Sequence, residues 1–175
     1  MGLHRLVYYS KNKLDIAQGG LSERVSEILA TAVANNRTAD ISGGLIFNRS
    51  WFMQILEGDR VAVMQTYARI ERDPRHSDIT TIEFKPAQAR RFSFWWMAAA
   101  GWTADNAELF RRYCGAERFD PRIIAGETAC DLVAAVLDQQ MRSNDTGTAS
   151  RWLSAWRDPD AARNACASTL DSSAA

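Results

Sequence analysis

The run Trp51-Phe-Met-Gln-Ile-Leu-Glu-Gly58 is apolar at nearly every position, and that limits the folds open to this chain. Side chains alternate along a strand. Phe52, Gln54 and Leu56 therefore share one face, and Trp51, Met53 and Ile55 share the other. A sheet that is apolar on both faces needs cover on both. The candidates for the second cover are the C-terminal helices or a second copy of the protein. Gln54 adds a further demand, because a buried amide is costly unless its donors and acceptors are paired.

The neighbouring segments supply the rest of a sheet. Leu3 to Tyr9 reads as a first strand and ends at Ser-Lys-Asn-Lys. After Gly19-Gly20, Ser22 is placed to cap a helix running to about Asn36, with Val25, Ile28, Leu29, Ala32 and Asn36 on one face. Ile41 to Phe47 and Trp51 to Glu57 are strands joined by Asn48-Arg49-Ser50, a hairpin-length turn. Gly58-Asp59-Arg60 opens a second helix through Met64, Tyr67 and Ile70, which stops near Asp73-Pro74. Ile79 to Phe84 is a fourth strand and Phe92 to Gly101 a fifth, in which Trp96 opposes Trp95 and Met97.

The order β-α-β-β-α-β-β predicts an α+β fold, a ferredoxin-like sheet with one added strand and two helices on one face. Beyond Thr103 the pattern becomes helical. A short helix spans about Ala104 to Cys114. A more amphipathic one spans Gly126 to Met141, with Ala129, Val133, Val136, Leu137 and Met141 as its stripe. Trp152 and Trp156 mark a third short helical pattern. The expected organisation is a domain over residues 1–102, a helical extension over 103–158 and a flexible tail over 159–175.

Composition excludes several classes. A formal net charge of +0 leaves no electrostatic footprint for nucleic acid. No apolar run is long enough to span a bilayer. Cys114, Cys130 and Cys166 are widely spaced and lack a CxxC pattern, so neither a disulfide framework nor a metal site is indicated. These features predict a reduced, cytoplasmic protein. Isolated His4 and His76 form no catalytic constellation; His76 reads as a loop or strand-edge histidine.

Five polar positions could meet Gln54 or a ligand beside it. Tyr8 lies on the first strand, where a tyrosine is usually a packed aromatic. Asn35 and Asn36 fit a helix C-terminus, where Asn is common, yet Asn36 also continues the apolar stripe. Its carboxamide offers adjacent donor and acceptor groups, which suit the edge of an isoalloxazine or a pyrimidine. Arg69 and Asp73, four residues apart, read as a surface ion pair, or as an arginine held ready for a ligand carbonyl. Trp95 and Met97 are ordinary core residues taken alone.

Together these residues resemble the BLUF domain, a family of blue-light sensors using FAD. The resemblance covers about residues 3 to 102. It rests on Leu-His-Arg-Leu-Val-Tyr8, on Asn35-Asn36 followed by Ile41-Ser-Gly-Gly-Leu45, and on Phe52-Met-Gln54-Ile-Leu-Glu-Gly58. Asp73-Pro-Arg-His-Ser77 and Arg91-Phe-Ser-Phe-Trp95-Trp-Met97 complete it. It implies a flavin ring between the two helices, with Asn36 on its pyrimidine edge and Asn35, Arg69 and Asp73 at other flavin contacts. Tyr8 would be the electron donor, with its proton passing through Gln54, and Gln54 would be left rotated or tautomerised. Trp95 and Met97 match the pair that reports the switch. Ala32 departs from the pattern, since some relatives carry a hydroxyl residue there.

The resemblance alone favours FAD over FMN. It implies a non-enzymatic photoreceptor of the short, stand-alone type, acting through a homo-oligomer or a downstream partner protein. Read from the residues alone, a metabolite-binding regulatory module and a flavin-dependent redox enzyme stay open.

Overall fold

A computed structural model describes residues 2–15, 20–93, 96–115 and 119–144. Five strands form one sheet in the order β4-β1-β3-β2-β5. They are β1 (Leu3–Asn12), β2 (Ser42–Phe47), β3 (Trp51–Asp59), β4 (His76–Pro86) and β5 (Ala98–Gly101). The helices are α1 (Leu21–Thr38), α2 (Arg60–Glu71), α3 (Ala107–Cys114) and α4 (Gly126–Asn144). β1 runs antiparallel to both β3 and β4, and β2 antiparallel to β3. β5 adds to the edge parallel to β2, pairing Gly44 with Ala98. This is the expected ferredoxin-like arrangement with its extra strand.

The apolar run in β3 dictates the layering. Phe52 and Leu56 join Tyr8, Val25, Leu29, Val63 and Tyr67 in a core beneath α1 and α2. Met53 and Ile55 face the other way and pack with Val7, Ile46, Phe110, Val133 and Leu137, beneath α3 and α4. The C-terminal helices supply the second cover. Each fully buried Leu, Ile or Phe contributes about 1.5–3 kcal/mol relative to exposure, so both layers matter to stability.

Local signals set most boundaries. Asp59 caps α2, its carboxylate accepting from the Val61 N–H at 2.9 Å as an N-cap should. α1 begins at Leu21, one residue before Ser22, and the Gly20 carbonyl accepts from the Arg24 N–H at 3.2 Å. Ser22 thus lies inside the first turn. At the other end α1 runs on to Thr38, so Asn36 is a helical residue rather than a terminator.

The fifth strand is shorter than expected. Among the described residues of Phe92 to Gly101, Ala98–Gly101 pairs in the sheet. The N–H groups of Arg91 and Phe92 donate instead to the Glu57 carboxylate, at 2.9 and 3.0 Å. Strict alternation fails with the strand: Trp96 and Met97 both pack in the core beneath α1 and α2. Trp95, the Trp152/Trp156 pattern, Cys166 and the tail lie outside the described residues. No helix among the described residues is long and apolar enough to cross a membrane.

Gly44 explains how α4 comes so close. A Cβ there would lie 2.6 Å from Val133 Cγ1 and 3.0 Å from Leu137 Cδ1, closer than carbon atoms pack. The missing side chain lets the α4 stripe sit directly on β2.

Candidate functional site

Cross-strand register joins the first two candidates. Tyr8 on β1 is the direct partner of Gln54 on β3, and strand neighbours in that position are within side-chain reach. The Tyr8 hydroxyl donates to Gln54 Oε1 in a short contact, and Gln54 Nε2 donates to Met97 Sδ at 3.2 Å. Tyr8 is fully buried, Met97 nearly so, and Gln54 is only 8% exposed. Burial raises the Tyr8 phenol well above its ordinary pKa, and the nearby Tyr67 and Asp73 add to the shift. Tyr8 is therefore a neutral hydroxyl donor. Its ring also packs against Tyr67, with centroids 5.2 Å apart.

Asn36, on the last turns of α1, is 3% exposed. Its Nδ2 donates to the Trp96 carbonyl at 2.9 Å, while its backbone carbonyl accepts from the Ile41 N–H. The bond to Trp96 ties α1 to the segment carrying Met97. The apolar stripe thus ends in a buried carboxamide because the carboxamide has a backbone partner to satisfy.

These groups open onto one cleft between α1 and α2. Gln54, Asn35, Asn36, Arg69, Asp73 and Met97 all line it, with apolar walls from Ile28, Leu29, Leu45, Phe52 and Ile70. Its interior is about 150 Å³, widening to about 790 Å³ with the open mouth counted. Tyr8 stands behind Gln54 rather than in the wall. Ala32 lines the cleft and brings no hydroxyl to it.

The expected Arg69–Asp73 ion pair is not formed. Arg69 Nη2 donates to Thr66 Oγ1 at 2.8 Å. Asp73 is held by Arg75, whose Nε donates at 2.8 Å and whose backbone N–H donates at 3.0 Å. The reason is local: after α2 the chain turns at Pro74, which brings Arg75 back onto the carboxylate. The Arg75 side chain chiefly holds Asp73 below the usual carboxylate range, against partial burial. Both residues remain on the cleft rim.

His76 is the residue that sequence reasoning missed. It lines the cleft, bonds through Nδ1 to Ser10 Oγ at 2.7 Å and packs on Phe52 with centroids 4.9 Å apart. Burial pushes its pKa down to about 4, so it is a neutral wall. Its partners come from two other strands, and no spacing along the chain announces them.

An apolar slot with two carboxamides on its inner wall and two arginines at its rim suits a flat heteroaromatic ring with one polar edge and an anionic tail. A flavin nucleotide has that chemistry. Among the described residues no group of three His, Cys, Asp or Glu side chains is placed to hold a metal. The profile of a family described as sensors of blue-light using FAD matches residues 3–98.

The chain belongs to the BLUF family.

Photoactivated adenylate cyclase subunit beta of Euglena gracilis is 40% identical over 72 residues, which is 41% of this chain and 8% of that protein. The blue light- and temperature-regulated antirepressor BluF of Escherichia coli (strain K12) is 39% identical over 70 residues, 40% of this chain and 17% of that one. The match thus spans less than a fifth of either relative. The dark-state structure of BlrB, a BLUF protein, superposes with a TM-score of 0.61 at 27% identity, covering 77% of this chain and 96% of that one. The photo-activated state of BlsA gives a TM-score of 0.67 at 23% identity, covering 77% and 94%, and shows the shared fold. BLUF domains are blue-light flavin sensors, and this chain carries one.

Proposed function

We propose that this BLUF protein is a reversible light switch in which Tyr8 and Gln54 perform the photochemistry and Met97 reports it. The unbroken hydrogen-bond chain Tyr8–Gln54–Met97, which enters the cleft wall at Gln54 and Met97, carries this reading. Asn36 and Gln54 would hold the polar edge of the ring, with Asn35, Arg69 and Asp73 at the mouth. FAD is the flavin, following the family description. When bound, the flavin supplies a blue-absorbing ring that becomes a strong electron acceptor on excitation.

The protein's part follows from its own atoms. Tyr8 is the donor, and oxidation makes its phenol strongly acidic. Its hydroxyl proton is donated to Gln54 Oε1, which takes it up. Return of the electron and proton restores Tyr8 as a phenol but leaves Gln54 rotated or tautomerised. In the rotated amide, Nε2 donates to the Tyr8 oxygen, which is both donor and acceptor, and the bond to Met97 Sδ is given up. The segment leading into β5 then responds, and with it the C-terminal helices. No substrate is turned over. The output is a change at an oligomer contact or on a partner protein in the cytoplasm.

The test is absorption of the FAD-loaded full chain before and after blue light. The expected result is a small red shift of the flavin band that reverts fully in darkness with nothing consumed. Tyr8→Phe should keep the flavin and lose the shift. A colourless protein that refuses FAD, or a Tyr8→Phe variant with a normal photocycle, contradicts the reading.

A further inference from the structure

Glu57 sits three residues beyond Gln54 on β3, with its side chain on the opposite face of the sheet. Its carboxylate is completely buried. A buried carboxylate is expensive unless its lone pairs are filled, and here three donors fill them. Oε1 accepts from Arg5 Nε at 2.7 Å, and Oε2 from the backbone N–H groups of Arg91 and Phe92 at 2.9 and 3.0 Å. Two of the three are the N–H groups of Arg91 and Phe92, which lie outside the five strands. An apolar side chain would fill the same space more cheaply, but it would remove the carboxylate that holds them to β3.

The clipped residues reach α4 directly. Arg91 Nη2 donates to Asp131 of α4. The Phe92 ring is fully buried in the core beneath α3 and α4. Its Cε1 lies 3.4 Å from where a Cβ on Gly44 would stand, beside Val133 and Leu137. Arg90 adds a second grip, donating to the Glu57 carbonyl at 3.0 Å, to the Asp40 carbonyl at 2.7 Å and to the Asp40 carboxylate at 2.8 Å. Residues 90–92 are thus a junction of β3, the end of α1 and α4. Five residues further on, Met97 meets Gln54.

We propose that Glu57 is a positioning residue that couples the Gln54 amide to α4. By fixing Arg91 and Phe92 to β3, it gives the segment that ends at Met97 a rigid origin. Movement at Met97 then bears on α4 through Arg91–Asp131 and the Phe92 ring instead of being absorbed as backbone slack. The proposal rests on the light-switch reading above and adds the route by which the signal leaves the sheet. A glutamine cannot replace the carboxylate, because its amide nitrogen would face a donor.

The experiment uses the full chain loaded with FAD, in darkness and under blue light, and reads the flavin spectrum together with amide hydrogen exchange across residues 126–144. In the unmodified chain, light should red-shift the flavin band and change α4 exchange. In Glu57→Gln the red shift per bound flavin should persist while the exchange change in α4 is lost. A purely structural glutamate would lower thermal stability and leave the light response of α4 intact, and that result overturns the proposal. So does an unmodified chain that shifts spectrally while α4 is indifferent to light. An unmodified chain with no spectral shift overturns the sensor reading itself, and the coupling role with it. Should Glu57→Gln fail to fold, Asp131→Asn decides. It removes the charge that pairs with Arg91 at a solvent-accessible position, weakening that link while sparing the clip. Its α4 response should be smaller than in the unmodified chain with the spectral shift unchanged, and an equal response refutes the coupling.

Discussion

The switch proposed for Gln54 draws on two unequal partners. A carboxamide has one acceptor and two donor positions. The Tyr8 hydroxyl can serve either end of it, whereas the Met97 thioether is a weak acceptor. Turning the amide over therefore costs little at Met97 and exchanges one good bond for another at Tyr8. Gln54 was legible in the sequence as the one amide in an apolar strand, and Tyr8 followed because both fall on a core face.

His76 was not legible, since Ser10 and Phe52 meet it only after β1, β3 and β4 have paired. It carries a pH dependence. The unfolded chain binds its proton near the ordinary value of 6.5, while the fold resists protonation until about 4. Stability from this group is complete above 6.5 and falls as pH drops from 6.5 toward 4, by about 2–3 kcal/mol after allowing for partial exposure. Denaturant midpoints measured between pH 7 and 4 should show this slope, and His76→Gln should flatten it. An equal slope in the variant would place the proton elsewhere.

Among the elements, periodicity placed α2, α4 and the β2–β3 hairpin well, because their apolar stripes and caps act locally. It overextended the fifth strand. Phe92 to Gly101 has the composition of a strand, but Glu57 draws off the N–H groups of Arg91 and Phe92, and a side chain far away in sequence cannot be read from composition. The Arg69–Asp73 spacing failed similarly, since the turn at Pro74 offers Asp73 a nearer arginine. The contact between β2 and α4 can be tested through Gly44. Gly44→Ala places a methyl group against Val133 and Leu137, and overpacking of this kind costs about 1–3 kcal/mol. The denaturant midpoint should fall while flavin binding on the opposite face is retained. An unchanged midpoint would mean that α4 sits less tightly than the structure shows.

At the scale of the whole molecule, the sheet is shared. One face builds the cleft and the other carries α3 and α4, so the cleft and the C-terminal helices lie a single sheet's thickness apart. That both faces needed cover was readable from Trp51 to Glu57 alone. The choice between C-terminal helices and a second copy was not, because either supplies apolar surface. A chain ending at residue 102 would expose Val7, Ile46, Met53 and Ile55, and apolar patches of that kind drive association. Size-exclusion chromatography should find it more associated than the full chain, or aggregated; elution in the same assembly state as the full chain would show that α3 and α4 are dispensable cover. The account depends most on the Gln54 amide. The most direct measurement is the light-minus-dark absorption spectrum of Gln54→Leu loaded with FAD. The variant should bind flavin and show no red-shifted state after blue light; the usual shift, forming and decaying without the carboxamide, would contradict the account.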